Sequence, residues 1–573
     1  MGLRGRVVSQ VSSTSRLRNT ETTQSQLPTW CRLCYEVRVP SADSQLPTPH
    51  TRGKQLAFAL IIAVMASIGA LRADPPLRIG HITIVAKPLF DAKEQRRGGF
   101  YRTLNGIHTQ TPVALIRRFL TFHEGDPFDP AKLAETERNL RLFDFLKSAS
   151  VTPSTPHDGV VDVTVTTEDE WTTDLTGDFS NSGGIAVFAS DITQKDVFGT
   201  GIDVDLHGDH GTERNTSSIE IIDPAALGPY WNLDTLYARN SDGNEEKLAL
   251  VRPLYSYTTP WAGNFLFDHL LRDDRIFQEG EVSARFRQEH REVTLSSLYV
   301  LHSDPNGSSG IVGGIDLLDD SFSHIEERPL DLIPADRHFR FIDAGYESTG
   351  YNFLKLNYVS RDLRVQDFNL GWTTSLHAAI SPRTSANAPL TWRLRASQRM
   401  GYAFTDHAFV IGLISASTRG PHDRDSIVSL DVRAITRFQT HYPQAFVARV
   451  RLDLGWQLDR DVQFLADGQN GLRAYPDFAF EGNRRLIVNA EHRMFLGREL
   501  LQLFGPSLAV FADSGQAVDG TFHGMKSDAG LGLRIGIARY DSALIRIDWS
   551  YAFNASPISR RGGVWSISTS QAF

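Results

Sequence analysis

Cysteine is nearly absent from this chain of 573 residues: it holds two, Cys31 and Cys34, and both precede its most apolar run. That excludes a disulfide framework for the body of the protein and leaves its stability to packing and strand pairing. The C-R-L-C pair itself has no second Cys or His pair at ligand spacing, so it reads as incidental rather than as a zinc or redox site. Positive charge is not in excess either. The net charge is −8 with no basic block in the body, whereas a nucleic-acid partner would leave a basic field. No G-x-S-x-G elbow and no H-E-x-x-H is present, the histidines are scattered, and "FGTG" lacks the further glycine and helix of a phosphate loop. No catalysis, metal or cofactor is therefore expected.

Long apolar runs are also scarce. Residues 56–70, "LAFALIIAVMASIGA", follow Arg52 and Lys54 and lead into "LRADPP". A basic flank, a short apolar stretch and small residues up to Ala70 or Ala73 make a secretory signal, with an uncleaved anchor as the alternative. Residues 1–51 are rich in Ser, Thr and Arg without periodicity. They read as a disordered extension, or as an upstream start that the native protein does not use. Residues 1–73 thus form an extension and signal.

Residues 74–168 mix periods. "LRIGHITIVA" (77–86) alternates like a strand, while "ALIRRFLTF" (114–122) and "DPAKLAETERNLRLFDFL" (129–146) carry helical spacing. Asp129 and Pro130 open the second helix as cap and first residue. Two more strands follow around "PHDG", giving strand, helix, helix, strand, strand. From Trp171 onward helical periodicity disappears, and short alternating runs such as "FVARVRLDLGW" and "LIRIDWSYAF" recur to the last residue. In "GIDVDLHGD", Asp203, Asp205, His207 and Asp209 share one side and Ile202, Val204 and Leu206 the other. That row suits either a metal site or the polar inner face of a barrel strand, and continued alternation in other segments favours the barrel face. Residues 169–573 are far more than one sandwich needs. A membrane strand takes roughly 9–11 residues plus its connection, so a large closed barrel is the economical reading. Closure removes the strand edges that so large an open sheet would expose.

Two stretches carry a family resemblance. "FHEGDPFDPAKLAETERNLRLFDFLKSASV" resembles a polypeptide-transport-associated (POTRA) domain, with Gly125 and Asp126 in the turn between the helices. "GLRAYPDFAFEGNRRLIVNAEHR" (471–493) resembles the inward loop of the BamA/TamA superfamily of outer-membrane assembly and translocation proteins, which includes bacterial surface antigens. "VFADSG" (510–515), "DVFGTG" (196–201), "IDP" (222–224) and the terminal "SISTSQAF" resemble further parts of that family. The resemblance implies a mainly β fold: a C-terminal transmembrane antiparallel β-barrel of about 16 strands with one N-terminal α/β POTRA domain.

The same resemblance implies that Arg473, beside Tyr475, projects from an inward-folded loop toward Asp513 and Glu491, with loop geometry set by Gly471, Ala474 and Gly482. Two departures stand out: Ala474 occupies a position where the family usually has Gly, and Thr569 another where Gly is common. A planar guanidinium bridging two carboxylates is physically sensible inside a lumen. Trp565 and Phe573 belong to the barrel-closing C-terminus. The candidate first strand, near Thr172 to Phe179, contains Gly177 and several polar residues, which suits a weak closing seam. The implied partners are an unfolded outer-membrane or secreted client polypeptide, outer-membrane lipid, and a periplasmic or lipoprotein accessory. The barrel would lie in the outer membrane and the POTRA domain in the periplasm. The alternatives are a passive pore and a dedicated secretion transporter for one partner.

Overall fold

The computed structural model describes residues 76–96, 98–182, 185–211, 214–325, 333–359, 365–383, 389–421, 424–496, 504–537, 540–556 and 562–568. The expected extension and signal, both cysteines, Thr569 and Phe573 lie outside these residues.

The first domain begins with β1 (Arg78–Lys87) and continues through four helices: α1 (Ala92–Gln95), α2 (Gly99–Ile107), α3 (Val113–Arg118) and α4 (Pro130–Leu140). It ends with β2 (Leu146–Pro153) and β3 (Val160–Asp169). β3 is central in the sheet, parallel to β1 and antiparallel to β2. The start of α4 follows from its sequence. The Asp129 carboxylate accepts the Ala131 N–H at 2.8 Å, and Pro130 occupies a position whose N–H has no helical partner. The periodicity of the sequence gives no warning of α1 and α2; α1 is held by a capping box between Asp91 and Glu94. One sheet face and α3 and α4 bury Ile79, Ile82, Phe119, Phe122, Leu133, Leu140, Phe145 and Val165. Burying a side chain of this kind contributes about 1.5–3 kcal/mol.

Among the described residues, those between 173 and 568 form a closed barrel of twenty strands, from Thr173–Ser182 to Gly562–Ser568. This corrects the expectation of about sixteen, which came from the resemblance rather than from counting. Two-residue connections after Asn240, Gln278 and Asp304 consume little chain and leave room for more strands. Alternation divides the wall into two faces. Leu175, Ile192, Leu206, Ile219 and Tyr237 stand opposite one another across four successive pairings, and all are exposed on the outside. The neighbouring positions turn inward: His207 sits with its Nδ1 2.6 Å from Asp191. An apolar exterior around a polar interior is the pattern of a membrane-spanning barrel. No described helix is long and apolar enough to cross a membrane.

The first and last strands share two register pairs among the described residues, Ser180 with Ser566 and Phe179 with Ile567.

The domain docks on the near end of the barrel, the end at which the chain enters it. Ala225 and Tyr230, from the connection after Asn215–Asp223, complete the domain's hydrophobic core. Tyr230 stacks on Tyr255 at 4.1 Å, and Asn139 Nδ2 donates to the Tyr255 carbonyl at 2.8 Å. Glu135 on α4 accepts the Tyr257 N–H at 2.9 Å, and burial pushes its carboxyl up to about 7 against the pull of Ser256, Tyr257, Arg138 and Lys132. The turn carrying "DVFGTG" closes on itself where the Gly201 N–H donates to Asp196 at 2.6 Å.

Candidate functional site

Two connections fold into the lumen. The long one, residues 457–483, enters from the far end between Gln444–Trp456 and Arg484–Phe495. Asp467 organises it, accepting the N–H groups of Gln469, Asn470 and Phe478 at 3.1, 2.9 and 2.9 Å. These bonds satisfy backbone donors that a buried loop would otherwise leave unpaired. Gly471 takes φ +112°, a conformation that favours glycine, and its carbonyl accepts Asn489 Nδ2 at 2.7 Å.

Two residues later the loop presents Arg473. Its Nε and Nη2 reach the two oxygens of Asp513 at 2.7 and 3.0 Å, and Nη1 reaches Glu491 at 2.6 Å. The guanidinium lies 3.5 Å from the Phe511 ring centroid, a cation–π contact. The carboxylates come from adjacent strands, Arg484–Phe495 and Phe504–Val518, whose inward positions bring Asn489, Glu491, Phe511 and Asp513 together. Asp513 is also paired in register with Asp528 on the next strand, so one cation stands against two facing acids. Glu491 has further cations: Arg493 Nε at 2.8 Å and Arg534 at 3.5 Å.

The other expected residues fall around this centre. Tyr475 is buried and donates its hydroxyl to the Ser527 carbonyl at 3.0 Å. Ala474 is buried, and its backbone is not in the left-handed conformation that would demand glycine, so the departure from the family pattern costs nothing there. At Gly482 a Cβ would stand 2.2 Å from the Val518 carbonyl carbon, which only glycine avoids. Trp565 is on the last strand and 62% exposed. Phe573 lies outside the described residues.

Several contacts here have no sequence signal beyond the acid pair Asp459 and Asp461. On the opposite wall Arg337 meets these two at 2.7 and 2.8 Å, and Phe478 stacks on Phe277 at 4.0 Å. Gln463 bonds both the N–H and the carbonyl of Phe277, at 2.9 and 2.8 Å. The loop therefore spans the lumen.

The second connection, residues 351–372, enters from the near end. Its Leu356, Val359 and Leu370 cover Phe409, Ile435 and Val447 on the inner wall. Helix α4 grips it: Arg141 to Asp367 at 2.9 Å, Glu137 to Lys355 at 2.8 Å, and Arg138 over the Phe353 ring at 4.6 Å. Arg493 donates to the Val359 carbonyl at 2.9 Å while holding Glu491. The near-end connection is thus held at one side by the α4 segment and at the other, through the Val359 carbonyl, by Arg493, which also holds Glu491 and so reaches Arg473. Among the described residues no group of three His, Cys, Asp or Glu side chains is placed to hold a metal ion.

No protein-family model matches the sequence, and no curated protein is similar to it. Solved structures similar to the chain include CdiB from Acinetobacter baumannii, at 13% identity over 98% of each chain with a TM-score of 0.45. CdiB from Escherichia coli is 9% identical over 88% of this chain and 92% of its own, with a TM-score of 0.42. BamA from Haemophilus ducreyi lacking POTRA domains 1–3 is 11% identical over 86% of this chain and 84% of its own, with a TM-score of 0.36.

Proposed function

We propose that the protein is an outer-membrane barrel that inserts or translocates client polypeptides, with the N-terminal domain, a single POTRA domain, in the periplasm. The observation that carries this reading is the inward loop: residues 457–483 are tied to one wall through Arg473 with Asp513 and Glu491 and to the other through Arg337 with Asp459 and Asp461, inside a barrel whose first and last strands meet at a closing seam. A parted seam offers two free strand edges to an incoming strand. Residues 457–483, tied to both walls, keep the lumen occupied while the seam works, and Arg473 is their latch. This occupancy counts against a passive pore. A dedicated secretion transporter differs only in the range of clients, and the reading involves no catalysis.

The test uses a chain with Cys31→Ser and Cys34→Ser, carrying Ser180→Cys and Ser566→Cys, whose backbones are paired in register. Oxidation is expected to leave a folded, heat-modifiable barrel that no longer assembles an unfolded barrel polypeptide into vesicles, and reduction to restore assembly. Full client assembly with the seam cross-linked would sink the proposal.

A further inference from the structure

Helix α2 presents an apolar stripe whose two ends are open, with Leu104 half-buried between them. Phe100, Leu104 and Ile107 recur at one helical face, and Phe100 and Ile107 are 56% and 68% exposed. The helix contains no acidic residue and carries exposed Arg102; just ahead, exposed Lys93 and Arg96 stand with Asp91 and Glu94 of the capping box. Its position is fixed from the other side. Asn105 accepts the Phe90 N–H at 3.1 Å, His108 Nε2 stands 3.0 Å from buried Asp169, and the Thr111 N–H donates to Asp169 at 2.9 Å. The helix is therefore held beside the junction where the domain enters the barrel.

The near-end turn 195–202 lies against the same segment. Thr111 reaches Asp196 at 3.4 Å, and a Cβ on Gly199 would meet Pro112 Cγ at 2.8 Å. From this turn Phe198 projects, 88% exposed and at φ +53°, a backbone conformation that a bulky residue rarely adopts. Its strands carry Ile192 and Leu206, opposite each other on the outer face, with Leu175 beside Ile192. Exposed Val113 follows Pro112. One apolar border thus runs from α2 through Val113 and Phe198 into the outer band of the barrel, next to the seam strand Thr173–Ser182.

Continuity with that band selects the occupant. A surface that extends a lipid-facing wall at its rim meets the boundary between headgroups and acyl chains, where short amphipathic helices with aromatic and basic residues lie. We propose that α2 and Phe198 rest in the near leaflet of the membrane that holds the barrel, binding phospholipid beside the seam. This rests on the membrane-barrel reading above.

The test uses the full chain with Cys31→Ser and Cys34→Ser, reconstituted in phosphatidylcholine–phosphatidylglycerol vesicles. Single variants Ile107→Cys, Phe198→Cys, Leu295→Cys and Asp158→Cys each carry an environment-sensitive fluorophore, read with spin-labelled lipids as shallow or deep quenchers. Leu295 is on the outer wall, 57% exposed, and Asp158 is in the exposed turn between β2 and β3. The expected result is a blue shift at 107 and 198 with loss of emission to the shallow quencher, loss to the deep quencher at 295, and neither at 158. Quenching at 295 with 107 and 198 behaving like 158 would overturn the inference and leave that face to a protein partner. An unquenched probe at 295 would overturn the barrel reading itself, and this inference with it.

Discussion

Replacing Arg473 by Ala removes three charge-assisted hydrogen bonds, two to Asp513 and one to Glu491, and the cost falls unevenly on the two acids. Glu491 keeps Arg493 at 2.8 Å and Arg534 at 3.5 Å. Asp513 keeps the neutral Asn489 amide at 2.8 Å and then faces Asp528 without a cation between them. Breaking a buried pair by removing one partner costs about 3–5 kcal/mol, which raises the local opening constant by roughly two to four decades. The contacts of Arg337 and Phe277 on the opposite wall still tether the loop, so the prediction is loosening on the Arg473 side rather than ejection. Hydrogen exchange is expected to accelerate at residues 471–478, and the single-channel current to become larger or noisier, in a barrel that remains heat-modifiable. Adding Asp513→Asn to Arg473→Ala is expected to recover part of the protection, because it removes the stranded charge. Asp513→Asn alone is expected to loosen the loop. Unchanged exchange and conductance in Arg473→Ala, or no recovery in the double variant, would refute the latch.

Glu135 provides a pH test. Its carboxyl is raised from 4.5 to about 7 by burial, so the docked state favours the protonated form. Docking stability from this group is full below 4.5, falls as pH rises toward 7, and is then level, a change of up to about 3 kcal/mol. Glu135→Gln is expected to abolish that slope and strengthen docking at pH 8, read as protease resistance of the α4 boundary; an identical pH profile in both proteins would count against it. Gly482→Ala is expected to destabilise the loop base, because its Cβ meets the Val518 backbone, whereas Ala474→Gly is expected to change little; melting temperatures of equal size for the two variants would contradict this.

The two-residue period of residues 171–573 was legible because a barrel wall imposes it, and it correctly assigns Leu206 outward and His207 inward. The number of strands was not. A tight turn such as the one after Asn240 interrupts alternation for only two residues, too briefly to mark each hairpin. Arg473, Glu491 and Asp513 drew notice through their motifs. The pairing of Arg337 with Asp461 spans 124 positions and follows from barrel curvature, which no local pattern encodes. Helix α1, of four residues, is too short for a periodic signal, and α2, of nine, carries one of barely two turns, so capping and the Asn105–Phe90 contact hold them.

The core of the N-terminal domain borrows Ala225 and Tyr230 from the barrel. A fragment of residues 76–169 is therefore an unfinished object, with Phe119 lacking the Tyr230 ring that packs edge-on against it in the whole chain. Its thermal unfolding is expected to be broad and low, and a sharp transition equal to that of the domain in the full protein would contradict this. Maturation then has a direction: the barrel supplies the last pieces of the N-terminal domain, and a chain whose barrel has not formed carries that domain incompletely assembled.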